Sequence, residues 1–593
     1  MGQVTVARAL ATLLERMGTE YVFGVNGHGN WALLDAVVHE TTITGIPARA
    51  EDQALQMADG YWRMRRQAPL AVVVTSVGPG NMNILPALAT AFYESVALVV
   101  LAGGGSTHWF DRGGIEEAYR YAPEEWIQVV RPVSKKAVLV NRPDTAVDMF
   151  LRAYQAAITG RPGPVVLQIP FDVQHTPIDD RLPDPAPRLR VHPPAPDPAG
   201  VAEAAALLGR AARPLVVVGS GVANARAWDE LLGFAETTAT PVALTPTGKG
   251  AFPETHRLCL GAIGRAGTAQ ANEAARRADV VLAVGTHLSD IDTGGWTLFD
   301  IPAGARLIHL DIDPTELGRA YPADVALTCD ARLGLAALTA ALGPAPDRAP
   351  WLGELAAVRA GWEASVAEQR ASDAGPLHYA RICADASDVV AAVEPEMPVL
   401  FDTGHLLSFG PPFLRAASRN VAHCGFYHRM GWSASALLGA SLARGRARAL
   451  ALLGDGSFLM GGVAVATAVE QDLPVTWVVL NNRSLQIERE LMLRAYGREA
   501  FCDYRLRRTG ELWNPDFCQW AQAMGAGATK VTEAAQFAPA LRRALAGGRP
   551  HVIDVDVSLA VEGYRAVWYP YPRNFFETWA PGPLRPGGRA HAT

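Results

Sequence analysis

The chain has 593 residues, 49% hydrophobic and 19% charged, with a formal net charge of −6. That length predicts several domains with large buried cores, and the mild acidity argues against nucleic acid as the main partner. No apolar run reaches membrane-spanning length, so no membrane association is expected; six dispersed cysteines without metal or redox spacing read as reduced thiols of a cytoplasmic protein.

Taken in order, "VTVARALATLLERMG" (4–18) predicts an amphipathic first helix and not a signal peptide, because Arg8, Glu15 and Arg16 interrupt it. "LAVVVTSVGPG" (70–80) and "VALVVLAGG" (96–104) are the strong strands of a first block. Gly78-Pro79-Gly80 ends the first of them before a helical stretch, which leaves free backbone N–H groups facing any ligand there. The proline-rich run 179–200 predicts an extended linker with no helix. A second block has strands at "RPLVVVGSG", "DVVLAVGT" and "RLIHLDID". Its Gly219-Ser220-Gly221 resembles a dinucleotide loop, but without the full G-x-G-x-x-G pattern a plain tight turn explains it equally well. "LGPAPDRAPW" (342–351) reads as a second linker, and "PVLFDTG", "ALALLGDG" and "VTWVVLNN" are the strands of a third block. The fold class expected is α/β, with three parallel-sheet domains at 1–178, 201–342 and 376–563. The linkers fall at 179–200 and 343–375, and an aromatic, proline-rich tail occupies 564–593.

The third block carries the most chemistry. "ALALLG" and "VTWVVL" are runs of the kind buried on both faces of a parallel sheet, and "GGVAVATAVEQD" between them has helical spacing, so the unit reads β-α-β. Its right-handed crossover brings both carboxyl-end loops to one sheet edge, where Asp455 and Asn482 converge. A carboxylate, an amide oxygen and a backbone carbonyl are hard donors suited to Mg2+ holding a phosphate.

Three motifs in order resemble the thiamine-diphosphate enzymes of the acetolactate synthase-like (acetohydroxyacid synthase large-subunit-like) group, over roughly residues 3–560. They are Gly454-Asp455-Gly456 through Asn481-Asn482, "RAEDQALQMADGYWR" (49–63), and "TSVGPGNMN…AFYESVALVVLAGG"; "HRMGWSASALLGASLA" adds a fourth. The resemblance implies pyrimidine-binding, central Rossmann-like and diphosphate-binding domains in that order. It implies that Glu51 hydrogen-bonds the aminopyrimidine, that Met430 bends the cofactor, and that the backbone carbonyl of His428 orients its 4′-nitrogen. Asp455, Asn482 and the carbonyl of Ser484 become the implied Mg2+ ligands. Gly78, Pro79, Asn83, Gly404, His405, Gly454, Gly456 and Ser457 complete the implied cofactor surface. The same resemblance implies a homodimer or homotetramer whose active sites are shared between chains.

Substrate choice lies outside those motifs. His28, in "FGVNGHGNWALL" (23–34), stands where relatives vary, and is read either as an acid-base or substrate-orienting group or as a structural histidine. "RGGIEE" (112–117) places Ile115 and Glu116 where acetolactate synthases carry Phe and Gln, and a carboxylate facing the pocket would repel an anionic substrate. Arg429 is read as pairing with an acid in preference to a substrate carboxylate. The resemblance allows FAD in the central domain, but His287 in the usual arginine position argues against expecting it. The function expected is decarboxylation of a 2-keto acid with acyl transfer to a carbonyl acceptor. Hydrolysis of a diketone, as in the trihydroxycyclohexanedione hydrolase branch, and simple 2-keto acid decarboxylation are the alternatives.

Overall fold

The computed structural model describes residues 2–116, 120–343 and 346–561, the side chain of Pro302 excepted. The tail expected at 564–593 lies outside these residues. Three six-stranded sheets carry the chain, and every neighbouring pair in them is parallel. The first runs Thr44–Pro47, Tyr21–Gly24, Val72–Thr75, Val99–Gly104, Val165–Pro170, Lys136–Leu139. The third runs Val421–His423, Val399–Phe401, Ala449–Gly454, Val475–Asn481, His551–Asp556, Gly527–Val531, the same order relative to the chain. The central sheet differs: Cys259–Ala262, Val242–Leu244, Pro214–Val218, Val280–Val284, Arg306–Asp311, Val325–Thr328, a doubly wound order.

Sheet order places the ligand edges. In the first sheet the winding reverses between Tyr21–Gly24 and Val72–Thr75, so the loops bearing His28 and Gly78 share one crevice. In the third it reverses between Val399–Phe401 and Ala449–Gly454, which puts Gly404 beside Asp455. The strands are apolar because both faces are covered; Val475–Asn481 is buried at all seven positions.

Local expectations were met unevenly. The first helix, Val6–Arg16, buries Val6, Leu10, Leu13 and Leu14 and is capped by the Thr5 side chain, which accepts from Arg8 N. Within the stretch "GGVAVATAVEQD" (461–472) expected to be helical, Ala464–Glu470 forms the helix, and a further short helix, Asp455–Gly461, precedes it with Gly462 and Val463 between them. The run 179–200 is not wholly extended. Ala186–Leu189 forms a helical turn, and Pro198 opens the helix Pro198–Arg210, where a missing N–H costs nothing.

The second linker is corrected further. Ala349–Arg370 is a 22-residue helix. Pro350 sits in its first turn, and the residues beyond are mostly Ala, Glu, Leu and Arg, good helix formers. Trp351 and Leu355 join the central domain's core, and Val366 joins the third domain's. The segment therefore packs as a strut, not as a free tether.

One hydrophobic core spans the first and third sheets. At its centre the helix Glu51–Arg65 crosses Trp432–Ala443. Gly60 and Gly439 mark the crossing: a Cβ on Gly60 would fall within 2.9 Å of Ala436 Cα, and one on Gly439 within 2.9 Å of Tyr61 N. The backbones touch with no side-chain layer between them. Arg63, on the same helix, lays its guanidinium 4.5 Å from the ring centre of Trp432.

Candidate functional site

At the carboxyl edge of the third sheet, Asp455 opens the helix Asp455–Gly461 and is 2% exposed. Its Oδ1 accepts from Gly456 N at 2.8 Å, and its Oδ2 accepts from Arg483 N at 2.6 Å and Asn514 Nδ2 at 2.8 Å. All three partners are neutral N–H donors. Burial pushes the Asp455 carboxyl up to about 6 against their opposing pull, and among the described residues no cation bonds to it. Asn482, one strand over, donates from Nδ2 to Tyr379 Oη at 2.7 Å and Gln486 Oε1 at 2.6 Å, which fixes which way its amide points. Its Oδ1 accepts from Ser484 N at 2.8 Å, and Arg483 between them takes a left-handed φ of 61° that turns the chain. Carboxylate, amide oxygen and the Ser484 backbone thus meet at one turn, a donor set fit for a hard divalent cation.

These groups line a cavity of about 200 Å3 with Gly404, His405, His428, Met430, Gly454, Gly456 and Ser457. Every described residue lining it belongs to the third domain. A Cβ on Gly456 would meet Met430 Cε at 3.1 Å, whereas one on Gly454 or Gly404 would meet open space. His405 begins the helix His405–Phe413, its Nε2 lying 3.2 Å from the Val561 carbonyl, and burial lowers its pKa to about 4. His428 has φ 51° and Nδ1 3.4 Å from Thr403 Oγ1; burial lowers it to about 4 as well. Both imidazoles are neutral at pH 7.

Asp402, Tyr379, Gln486 and Asn514 hold this site together and were not singled out in the sequence. Asp402 is fully buried and accepts from Ser433 N, Ser433 Oγ and Ser457 Oγ at 2.9, 2.7 and 3.0 Å. It thereby ties the strand end to the Met430 loop. Its place in the quoted "FDTG", at a strand end, was the one available signal.

Glu51 lies elsewhere, at the edge of the first sheet. It starts its helix, is 8% exposed, and its Oε2 accepts from Asn83 Nδ2 at 3.0 Å. A Cβ on Gly80 would come 2.9 Å from Glu51 Oε1, so glycine there keeps the carboxylate approachable. Gly78 has φ 49°, and Pro79 starts the short helix Pro79–Met82. His28 Nδ1 stands 3.5 Å from Glu116 Oε2, the latter 48% exposed. Glu116 faces His28, which places its charge opposite a group able to neutralise it. Arg429 reaches Asp52, next to Glu51, at 2.5 Å, the acid pairing expected for it.

A second cavity, about 260 Å3, opens between the first and central domains beside Arg66, Arg161, Gly221, His287 and Asp311. His287 is 3.1 Å from Glu316, and Arg161 of the first domain donates to the same carboxylate at 2.9 Å.

Comparison with known proteins matches this arrangement domain by domain. The family models for thiamine pyrophosphate enzymes match at residues 4–123 (N-terminal TPP binding domain), 201–338 (central domain) and 402–555 (C-terminal TPP binding domain). The chain belongs to the thiamine pyrophosphate enzymes. Thiamine pyrophosphate and thiamine diphosphate are one compound, so the three-domain fold expected from the motifs is the fold observed. Within the family the chain is 30% identical to a probable acetolactate synthase large subunit of Methanocaldococcus jannaschii, over 93% of this chain and 92% of that one. It is 30% identical to the acetolactate synthase large subunit of Corynebacterium glutamicum, over 94% and 87%. To the acetolactate synthase isozyme 3 large subunit of Escherichia coli it is 28% identical, over 96% of each. Among the described residues no helix is long and apolar enough to cross a membrane.

The third-domain oxygen cluster falls inside the C-terminal TPP binding match, and Glu51 falls inside the N-terminal one. In this thiamine pyrophosphate enzyme the two halves of the predicted site thus sit on different sheets.

Proposed function

We propose that the protein is a thiamine diphosphate- and Mg2+-dependent carboligase. It takes a 2-keto acid as donor and passes the acyl unit to a carbonyl acceptor. The observation that carries this reading is end-to-end similarity to acetolactate synthase large subunits together with a buried Asp455 whose partners are all neutral.

Asp455, the Oδ1 of Asn482 and the carbonyl of Ser484 would hold Mg2+, and the cation supplies a counter-charge to Asp455. The helix Asp455–Gly461 and the N–H groups of its first turn would meet the diphosphate. Thiamine diphosphate, when bound, supplies a nucleophilic carbon and an electron sink for the bond that breaks. Glu51, oriented by Asn83 and left approachable by Gly80, would hold a hydrogen bond to the pyrimidine of the bound cofactor. Met430, against Gly456, would give the bound cofactor apolar support from the cavity wall. Neutral His405 at the cavity wall is available there as a hydrogen-bonding group, burial keeping its imidazole uncharged. His28, with Glu116 beside it, orients the substrate from the first-domain side.

The described residues lining the Asp455 cavity include none of the first domain, which supports a site that Glu51 would complete from another chain. Two shared sites in a homodimer, or four in a homotetramer, follow from that reading. A second reading, hydrolysis of a diketone, is favoured by Glu116, whose carboxylate stands where an amide is usual in the resembling group. Incubating the protein with thiamine diphosphate, Mg2+ and either pyruvate with a second 2-keto acid or a panel of cyclic diketones separates the two. Release of CO2 with an acyloin-type product supports carboligation. Ring opening without CO2 would transfer the case to the hydrolase.

A further inference from the structure

One cluster of metal-ligating side chains is not used by that reading. His423 ends the strand Val421–His423, Cys424 follows it, and His428 lies in the next turn, ahead of the helix Trp432–Ala443. His423 is 2% exposed and Cys424 fully buried. His423 Nε2 is 3.5 Å from Cys424 Sγ, and one ligand atom from each of the three residues lies within 4.8 Å of the others. Ligands of a tetrahedral zinc at bond lengths of about 2.0–2.3 Å stand roughly 3.5 Å apart, so small movements close the set.

Two independent features point to an occupant. His428 Nε2 is buried and has no hydrogen-bond partner among the described residues, a state that native interiors rarely leave unexplained. Beside the cluster, among all three domains, is a cavity of about 20 Å3 bordered by His423, His428, Glu94, His287 and Asp292. That is room for one ion or one water and nothing larger. The buried carboxylates of Glu94 and Asp292 offset positive charge there, against the Arg63 guanidinium that donates to the His423 carbonyl at 2.7 Å.

The donor chemistry separates this cluster from the oxygen set at Asp455. Two imidazole nitrogens and a thiolate suit a borderline cation and exclude Mg2+, which takes oxygen ligands. We propose that His423, Cys424 and His428 form a zinc site, three-coordinate to protein, with its fourth position open to the small cavity. On binding, the Cys424 thiol gives its proton to solvent and the thiolate becomes the ligand, Zn2+ being neither oxidised nor reduced. His428 lines both this cavity and the cofactor cavity, so the ion would fix a residue that also walls the cofactor site.

The test uses the full chain, purified without chelator, with metal content measured after dialysis. About one zinc per chain is expected, and after exchange a cobalt(II) form should show a thiolate-to-cobalt absorption band. Cys424→Ser should lose that band and retain about ten-fold less zinc or lower still, and Asp455→Ala should keep both. Should Cys424→Ser fail to fold, His423→Gln, which keeps the thiol, must show the same loss of zinc. Folded wild-type protein that holds no zinc, holds copper in its place, or gives no thiolate band with cobalt overturns the proposal. So does equal zinc in a folded Cys424→Ser.

Discussion

Mixing two dead variants is the sharpest test of how the site is assembled. Glu51→Gln removes the carboxylate at the first sheet, and Asp455→Ala removes the cation ligand at the third; each homodimer alone should be inactive. The described residues around the Asp455 cavity all belong to the third domain, and on the shared-site reading proposed above its Glu51 would come from a second chain. In a mixed dimer one site then combines both lesions, and the other combines an intact Glu51 with an intact Asp455. Random exchange makes half of the dimers mixed, and half of the sites in those are whole, so about a quarter of wild-type activity should return. A dimer of dimers gives the same fraction. If Glu51 served its own chain, every site in every mixed dimer would carry one lesion and nothing would return. The assay is turnover of the 2-keto acid after unfolding-free exchange, with exchange itself followed by mass spectrometry of differently tagged chains. No recovery despite demonstrated exchange, or an active monomer, would refute the shared site.

Other outcomes follow from single side chains. Glu51→Gln should bind thiamine diphosphate as wild type does yet lose most turnover, and unchanged hydrogen–deuterium exchange at the reactive cofactor carbon would remove its assigned role. Asp455→Ala should abolish Mg2+-dependent cofactor binding in calorimetry, and Asn482→Ala should weaken it less, since a neutral amide contributes less to a cation than a carboxylate. The Asp455 pKa is raised from 3.8 to about 6, so in metal-free protein its ionisation costs stability that is absent below the ordinary value and fully felt above about 6. At neutral pH that cost is about 3 kcal/mol, and Mg2+ with cofactor should relieve it. The rise in melting temperature on adding both should therefore shrink from pH 7 to pH 5, more in wild type than in Asp455→Asn; a flat difference would contradict this. Gly60→Val, which drives a Cβ into the Ala436 backbone, should lower stability by about 1–3 kcal/mol in urea unfolding.

The parts of the site legible in the sequence are those where a chemical group directly follows an apolar strand. Asp455 and Asn482 end adjacent strands, so strand recognition alone carries them to one edge. Glu51 was legible through its motif, and nothing local marked it as buried. Tyr379, Gln486 and Asn514 left no such trace. Gln486 is four residues beyond Asn482, at the start of a helix and with no strong signal of its own, whereas Tyr379 and Asn514 reach Asn482 and Asp455 from distant parts of the chain, and such contacts have no period to read. The helix Ala349–Arg370 was masked by prolines ahead of it, although a proline in a first turn is compatible with everything downstream. The His28–Glu116 contact depends on a left-handed φ of 58° at Glu116, a conformation that residue type does not announce.

The distribution of cores has a consequence for how the molecule comes apart. Apolar packing joins the first and third sheets into one body, while the central sheet keeps clusters of its own. The central domain meets the rest through polar bonds, such as Arg161 to Glu316, Arg66 to Asn224 and Lys249 to the Pro411 carbonyl. The chain leaves a half-built body, makes a separate one, and returns to finish the first. A seam of few polar bonds opens at lower cost than a shared apolar core, so the central domain should separate first, hinged on the helix Ala349–Arg370, while the two outer thirds melt as one unit.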